Sequence, residues 1–452
     1  MGNFTVAGRR VVVVGAARSG IAAAELLARR GARVTLTETR ESFEGMDRLR
    51  GAGVALELGG HRAQTLEAAN LVVVSPGVSL DQPVFDAASA QNVEVIGELE
   101  LASRLVKGRV IAITGTKGKS TTTTLVGRML TASGRKVLVG GNIGVPLSAQ
   151  VEQSTPDTLH VVETSSFQLE TTTTFHPWIA VWLNFADDHL DRHPTIDAYA
   201  SAKARIFERQ VESDWAVVNA DDPLVMARAA RSAATRVPFS LEGRIRDGFV
   251  VDGDWIVRRT AAGAERLVPL SSVELTGRHM LNNVLAAAAV STLAGAPPEA
   301  MVVALQGFHG LEHVMEPVGE IGGVRFINDS KATNVEAAKR SIESFERGVV
   351  AIVGGRFKGG DFRELREPMS ERGKAVVAIG EAAPLVREAL EGTVPVIAAG
   401  SMREAVERGY AAAEPDGVGV RAPACSSFDW FRDYAERGRT FKEEVERLKG
   451  QV

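Results

Sequence analysis

Short unbroken apolar runs alternate with amphipathic stretches from the start of the chain: RRVVVVG, the helical pattern IAAAELLARRGA, RVTLTE, then NLVVVSPG. Apolar runs without polar alternation suit strands covered on both faces, and strand, helix, strand in succession predicts a parallel sheet. The pattern restarts at RVIAITG, followed by helix-like STTTTLVGRMLTASG and the runs KVLVGG, LHVVETS, WIAVWLNF and WAVVNADD, enough for a larger second sheet. A third set reads GVRFINDS, GVVAIVGG, AVVAIGE, VPVIAAG and GVGVRAPA. Breaks near Gly97 and Gly310 divide the chain into 1–97, 98–310 and 311–452. Within the middle part, GFVVDGDWIVRR sets Asp252-Gly253 between two strand-like runs, which predicts a tight hairpin, an antiparallel piece flanking the parallel sheet. The expected class is α/β in three domains, Rossmann-like at both ends with a P-loop ATPase-like sheet between them.

Composition narrows the classes. Of the 452 residues, 45% are hydrophobic and 24% charged, an ordinary globular balance. A formal net charge of −4 with no evident basic patch argues against nucleic acid as a partner. The single cysteine, Cys425, forms no internal disulfide, which fits a reducing compartment, and the cytoplasm is the expectation. The first apolar run leads into a glycine turn and reads as a strand, and no run is long enough to span a membrane. No fixed-period repeat is evident, and the threonine tracts at 121–124 and 171–174 are too short for low-complexity segments.

The richest chemistry is in GTKGKSTTTT, between a strand and a helix, where backbone N–H groups and the helix dipole cradle phosphate. Gly115 and Gly118 permit close backbone approach, Lys119 neutralises outer phosphates, and the Ser120 hydroxyl suits Mg²⁺. Ile113 stands where a glycine is usual, so the loop is a compact variant. The N-terminal VVVVGAARSG is a degraded dinucleotide turn with Gly15, Gly20 and, closing the second strand, Glu38; Ala17 replaces its middle glycine. It fits another nucleotide or a packing role better than a dehydrogenase.

Glu163 ends LHVVE, and FADDHLDRH offers Asp187, Asp188, His189, Asp191 and His193, donors suited to a hard ion. Alone, Glu163 reads equally as a cap or a surface acid, and the acidic run as a solvated turn; the phosphate loop favours Glu163 as a second support for Mg²⁺. Lys203, in YASAKARIF, reads by composition as a surface helix lysine. Near the C-terminus FINDSKATN, GGRFKGGDF and APACSSFDWFRDYAERG follow apolar strands, the position of a substrate mouth in open α/β sheets. Lys331 and Lys358 are candidates to hold a carboxylate or phosphate, Thr333 and Ser427 to donate hydrogen bonds, and Asp329 to orient them. Each reads as readily as a cap or turn residue.

Taken together, GTKGKSTTTT, ETSSFQLE, NFADDHLDRH, AKARIF, NDSKATN, GGRFKGGDF and APACSSFDWF resemble the Mur ligase superfamily, over essentially the full chain. ETSSFQLE and ACSSFDWF are most similar to its branch that joins D-glutamate to UDP-N-acetylmuramoyl-L-alanine. That resemblance implies a UDP-binding domain, a central ATP-binding domain and an amino-acid-binding domain. It implies a cytoplasmic, monomeric, ATP-dependent ligase of peptidoglycan precursor synthesis, working through an acyl phosphate with two Mg²⁺ sites. Catalytic residues would be Lys119, Lys203, His189 and Glu163. The loop Gly115, Thr116, Lys117, Gly118, Lys119, Ser120, Thr121 would hold the phosphates, and Asn283 and Asp329 would lie around adenosine. Ser120 and Glu163 would support one metal, and His189 with a carbamylated Lys203 a second. Ser19, Thr39, Arg40, Gly77 and Asn142 would contact the UDP substrate, and Lys331, Thr333, Lys358, Ser427 and Tyr434 would receive D-glutamate. Three positions depart from the family pattern: Met280 replaces an asparagine, Val314 an arginine, and Tyr434 stands where phenylalanine is commoner. Competing readings are a related ligase with another acceptor such as L-glutamate, and a non-catalytic nucleotide-sugar binder.

Overall fold

A computed structural model of the chain describes residues 4–186, 192–275, 277–357 and 359–452. The chain forms two compact units, Met1–Phe308 and His309–Val452. The first unit carries two sheets. Among the described residues one sheet has five strands, β1 (Arg10–Val14), β2 (Arg33–Glu38), β3 (Ala55–Leu58), β4 (Leu71–Val74) and β5 (Glu94–Gly97), in the order β3-β2-β1-β4-β5. Every pairing in it is parallel. The βαβ reading of the sequence is borne out, and the strand order reverses between β1 and β4, which opens a crevice beyond their C-terminal ends.

The second sheet comprises β6 (Arg109–Thr114), β7 (Val137–Gly141), β8 (Leu159–Glu163), β9 (Ile179–Trp182), β10 (Trp215–Asn219), β11 (Thr235–Ser240), β12 (Gly248–Asp252), β13 (Trp255–Thr260) and β14 (Gly263–Pro269). Their order is β14-β13-β12-β11-β10-β9-β6-β8-β7. The strands β12, β13 and β14 pair antiparallel and the rest parallel. The flanking antiparallel piece is as expected, but its turn is shifted by one residue. Asp252 pairs with Trp255, so the two loop residues are Gly253, at φ +56°, and Asp254.

The two sheets of the first unit share apolar packing. Leu26, Leu99 and Ala102 lie in one buried cluster with Val110, Leu147, Val151 and Trp182. At about 1.5–3 kcal/mol for each large side chain removed from water, such a cluster is a substantial part of the unit's stability. The helix Glu98–Ser103 adds polar fastening, because buried Glu100 accepts the N–H groups of Thr173, Thr174 and Phe175 at 2.9–3.0 Å. The threonine tract 171–174 is therefore a wrapping for a carboxylate.

In the second unit, β15 (Glu316–Ile321), β16 (Val324–Asn328), β17 (Val349–Gly354), β18 (Gly373–Ile379), β19 (Val396–Ala399) and β20 (Val418–Arg421) are ordered β15-β16-β20-β17-β18-β19. Only β15 runs antiparallel. Apolar clusters cover both faces. Among the described residues no helix is long and apolar enough to cross a membrane.

Candidate active site

Parallel register gathers the chemistry of the first unit. On either side of β6, Ile113 pairs with Glu163 of β8, and Thr114 with Trp182 of β9. Glu163 in turn pairs with Gly141 of β7. The chain therefore leaves four neighbouring strands at one edge, bringing together the 115–120 loop, Asn142, Glu163 and Asn184. Residues far apart in sequence meet because the strands end level.

The loop turns at Gly118, which sits at φ +79° directly before the helix Lys119–Ala132. A side chain there would also run into the Asn283 amide, so conformation and space both demand glycine. Lys119 donates to the carbonyls of Gly115 and Thr116, each at 2.9 Å. The Ser120 hydroxyl donates to Glu163 Oε2 at 2.6 Å, and the Asn142 amide donates to Glu163 Oε1 at 2.8 Å. Glu163 is only 2% exposed, so the buried carboxylate is answered on both oxygens, as a buried charge requires.

Lys203 corrects the reading from composition. It is 1% exposed, its ammonium donates to the Gly115 carbonyl at 2.9 Å, and it lies 4.6 Å from the Tyr199 ring centre. The helix Ile196–Ala204 turns it inward, so two lysines converge on one carbonyl oxygen of the loop. Asn283, 4% exposed, packs on Gly118 and donates to the sulfur of Met280 at 3.8 Å.

Asn184 was not singled out by the sequence. Its side-chain oxygen accepts the N–H groups of Thr116 at 3.1 Å and Lys117 at 2.9 Å, and its amide donates to the Lys117 carbonyl at 3.0 Å. Its sequence signals were its place just after an apolar strand and at the head of NFADDHLDRH.

Asp187, Asp188, His189 and Asp191 lie outside the described residues, as does Lys358. His193, offered as a metal donor, is 4% exposed, with Nε2 3.0 Å from the Ser166 hydroxyl and its ring stacked on Phe167. Among the described residues no group of three or more His, Cys, Asp or Glu is arranged to hold a metal.

At the first sheet, Gly15, at φ +93°, makes the turn after β1, and Gly20 lies in the helix Arg18–Arg29 that follows; a side chain on Gly20 would overlap the Gly15 carbonyl. Glu38 accepts Ala16 N–H at 2.7 Å, Arg40 N–H at 3.2 Å, the Thr39 hydroxyl at 3.0 Å and the Arg40 guanidinium at 3.1 Å. Burial pushes this carboxyl up, but the bonds from Arg40, Ala16 and Thr39 outweigh it and hold it down at about 2. A carboxylate engaged in this way is not free for a ribose hydroxyl, which argues against the dinucleotide role of this fingerprint. Thr39, Arg40 and Gly77 are exposed, just past the ends of β2 and β4, and half-buried Ser19 lies in the first turn of the helix Arg18–Arg29.

In the second unit, Asp329 follows β16 and is 8% exposed. Burial raises its pKa against the bonds from the Ser341 hydroxyl and Met315 N–H. Lys331 and Thr333 follow on the same loop; Ser427 is 2% exposed after β20, and Tyr434, 40% exposed, opens the helix Tyr434–Lys449. Arg437 is 1% exposed and bonds the Ser330 hydroxyl, the Ser330 carbonyl and the Cys425 carbonyl. It pins two of these loops together.

Residues 9–97 match the Mur ligase MurD-like N-terminal domain, 113–291 the Mur ligase middle domain, and 315–425 the Mur ligase glutamate ligase domain. The chain belongs to the Mur ligase family. Among its Mur ligase relatives, the UDP-N-acetylmuramoylalanine--D-glutamate ligase of Acidobacterium capsulatum is 47% identical, over 97% of this chain and 96% of that protein. The protein of the same name from Geobacter metallireducens is 43% identical over 98% of each. A pseudomurein peptide ligase type C from Methanothermus fervidus shares the fold, with a TM-score of 0.57 and 19% identity over 98% of this chain and 100% of that one.

Proposed function

We propose that this Mur ligase joins D-glutamate to UDP-N-acetylmuramoyl-L-alanine at the expense of ATP, in peptidoglycan precursor synthesis. The observation that carries the reading is the full-length identity to ligases of that name, 47% and 43% in the two described above. The proposed division of labour follows three parts: 1–97 for the UDP moiety, 98–310 for ATP, and 311–452 for the amino acid. The enzyme is proposed to act as a monomer in the cytoplasm, where one buried cysteine stays reduced.

In the proposed mechanism the alanyl carboxylate attacks the γ-phosphorus of ATP, forming an acyl phosphate and ADP. The D-glutamate amine then attacks the acyl carbon, phosphate leaves from the tetrahedral intermediate, and the amine loses a proton as the amide forms. The first step brings two anions together, so cations must meet the charge where it develops. Lys119 is assigned to the phosphates, with the N–H groups opening the helix Lys119–Ala132. The Ser120 hydroxyl and Glu163 carboxylate, 2.6 Å apart, are hard oxygen donors that fit one Mg²⁺. His189 and a carbamylated Lys203 are assigned to a second. Bound magnesium would screen the phosphate charge and polarise the transferred group. Asn283 and Asp329 are assigned to adenosine; Ser19, Thr39, Arg40, Gly77 and Asn142 to the UDP substrate; and Lys331, Thr333, Lys358, Ser427 and Tyr434 to D-glutamate.

The deciding experiment is phosphate release with ATP, Mg²⁺ and UDP-N-acetylmuramoyl-L-alanine, run with D-glutamate, L-glutamate or no amino acid. Release that depends on D-glutamate is expected. Release driven equally by L-glutamate, or by neither isomer, would overturn the assignment.

A further inference from the structure

The half of the phosphate loop that precedes Gly118 is fastened by the protein's own groups. Thr116 N–H is shared between the backbone carbonyl and the side-chain oxygen of Asn184, both at 3.1 Å, and Lys117 N–H reaches the same side-chain oxygen at 2.9 Å. The Asn184 amide returns a bond to the Lys117 carbonyl at 3.0 Å. Asn184 is itself anchored, because the indole of buried Trp182 donates to its backbone carbonyl at 3.1 Å. The Thr116 hydroxyl adds bonds to Ala186 N–H at 3.1 Å and the Ala186 carbonyl at 3.2 Å.

A carboxamide suits this place for a chemical reason. It must accept from two N–H groups and donate to one carbonyl at once; a carboxylate supplies only the accepting half and an alkyl group neither. The N–H groups that open a helix lack an intrahelical acceptor and suit an anion. The clamp thus ties the Thr116–Lys117 peptides, the half of the loop that leads into the helix. It also sets Lys119, whose ammonium rests on the carbonyls of Gly115 and Thr116. A glycine is missing at the usual position upstream, and a side chain from β9's exit holds this short loop in its place.

We propose that Asn184 is a positioning residue for phosphoryl transfer, presetting the loop amides and Lys119 for the polyphosphate. The inference rests on the reading of 115–121 as the ATP phosphate loop. MgADP titration calorimetry on the full chain tests it, with wild type, Asn184→Ala and Asn184→Asp, alongside UDP-N-acetylmuramoyl-L-alanine affinity and kcat at saturating ATP. Both variants are expected to weaken MgADP by about tenfold, the worth of one to two net hydrogen bonds. The loss in Asn184→Asp should shrink as salt screens the added charge, while the loss in Asn184→Ala should not. Affinity for the UDP substrate should be unchanged in both, and kcat should fall in Asn184→Ala. A residue that merely supports the fold would lower the melting temperature and UDP-substrate affinity together. That result, or wild-type MgADP affinity and kcat in Asn184→Ala, would overturn the proposal. Absence of MgADP binding by the wild type would instead remove the phosphate-loop reading underneath it.

Discussion

At the residue scale Lys119 and Lys203 converge on the Gly115 carbonyl. Two ammonium groups on one oxygen repel each other, the more so because Lys203 is 1% exposed. A carbamate at Lys203, formed from the amine and carbon dioxide with loss of a proton, would turn that repulsion into attraction and add a hard oxygen donor. Lys203→Ala is therefore expected to abolish phosphate release while leaving UDP-substrate binding intact. Short carboxylic acids that enter the vacated space should restore a measurable fraction. Full turnover by Lys203→Ala would end the carbamate proposal.

At the element scale the helix Glu98–Ser103 shows how two sheets are fastened by a few polar atoms. Glu100 accepts three backbone N–H groups, the Thr173 and Thr174 hydroxyls and the Arg104 guanidinium. Burial raises its pKa, but these bonds, first among them the Thr174 hydroxyl, bring it below the ordinary range. Glu100→Ala leaves several buried donors unanswered, at about 1–3 kcal/mol each where water cannot replace the carboxylate. Urea unfolding should show a large loss of stability, partly recovered in Glu100→Gln, which keeps one acceptor oxygen; an unchanged midpoint in Glu100→Ala would refute the role. Periodicity could find the strands, because β1, β4 and β6 are unbroken apolar runs, and it found the loop, because glycine, lysine and serine hold fixed spacings there. It could not find the Glu100 wrapping or the Asn184 clamp, since both depend on which strands end level with one another. Lys203 was misread for a related reason: a nearly uniform helix such as IDAYASAKA has no apolar stripe to reveal which face is buried.

At the scale of the whole molecule acid acts on buried groups. In the first unit, His160 is fully buried beside the Ser154 hydroxyl, and burial, then the Lys136 charge, lowers its pKa to about 4. Its unfolded form takes up a proton near 6.5 while the folded form does not, so stability is intact above that value and falls as the pH drops from 6.5 towards 4. The full loss is on the order of 3 kcal/mol. Glu38, held at about 2, works in the next window: its stabilisation is present above pH 4.5 and is lost as the pH falls from there to 2. In the second unit His313 and Asp329 oppose each other, while Glu312, held low by its hydrogen bond from Lys442, adds to the loss of stability in acid. Burial lowers His313, which destabilises in acid, but it raises Asp329, whose protonation on acidification relieves a buried charge. Trp178, Trp182, Trp215 and Trp255 lie in the first unit and Trp430 alone in the second, so tryptophan emission reports mainly on the first. Thermal melts followed by that emission should shift to lower temperature between pH 7 and pH 4.5. His160→Gln, which has no proton to take up, should flatten the dependence. A melt that holds steady across this range in the wild type, or a slope that His160→Gln leaves unaltered, would show that this buried imidazole does not govern the acid response.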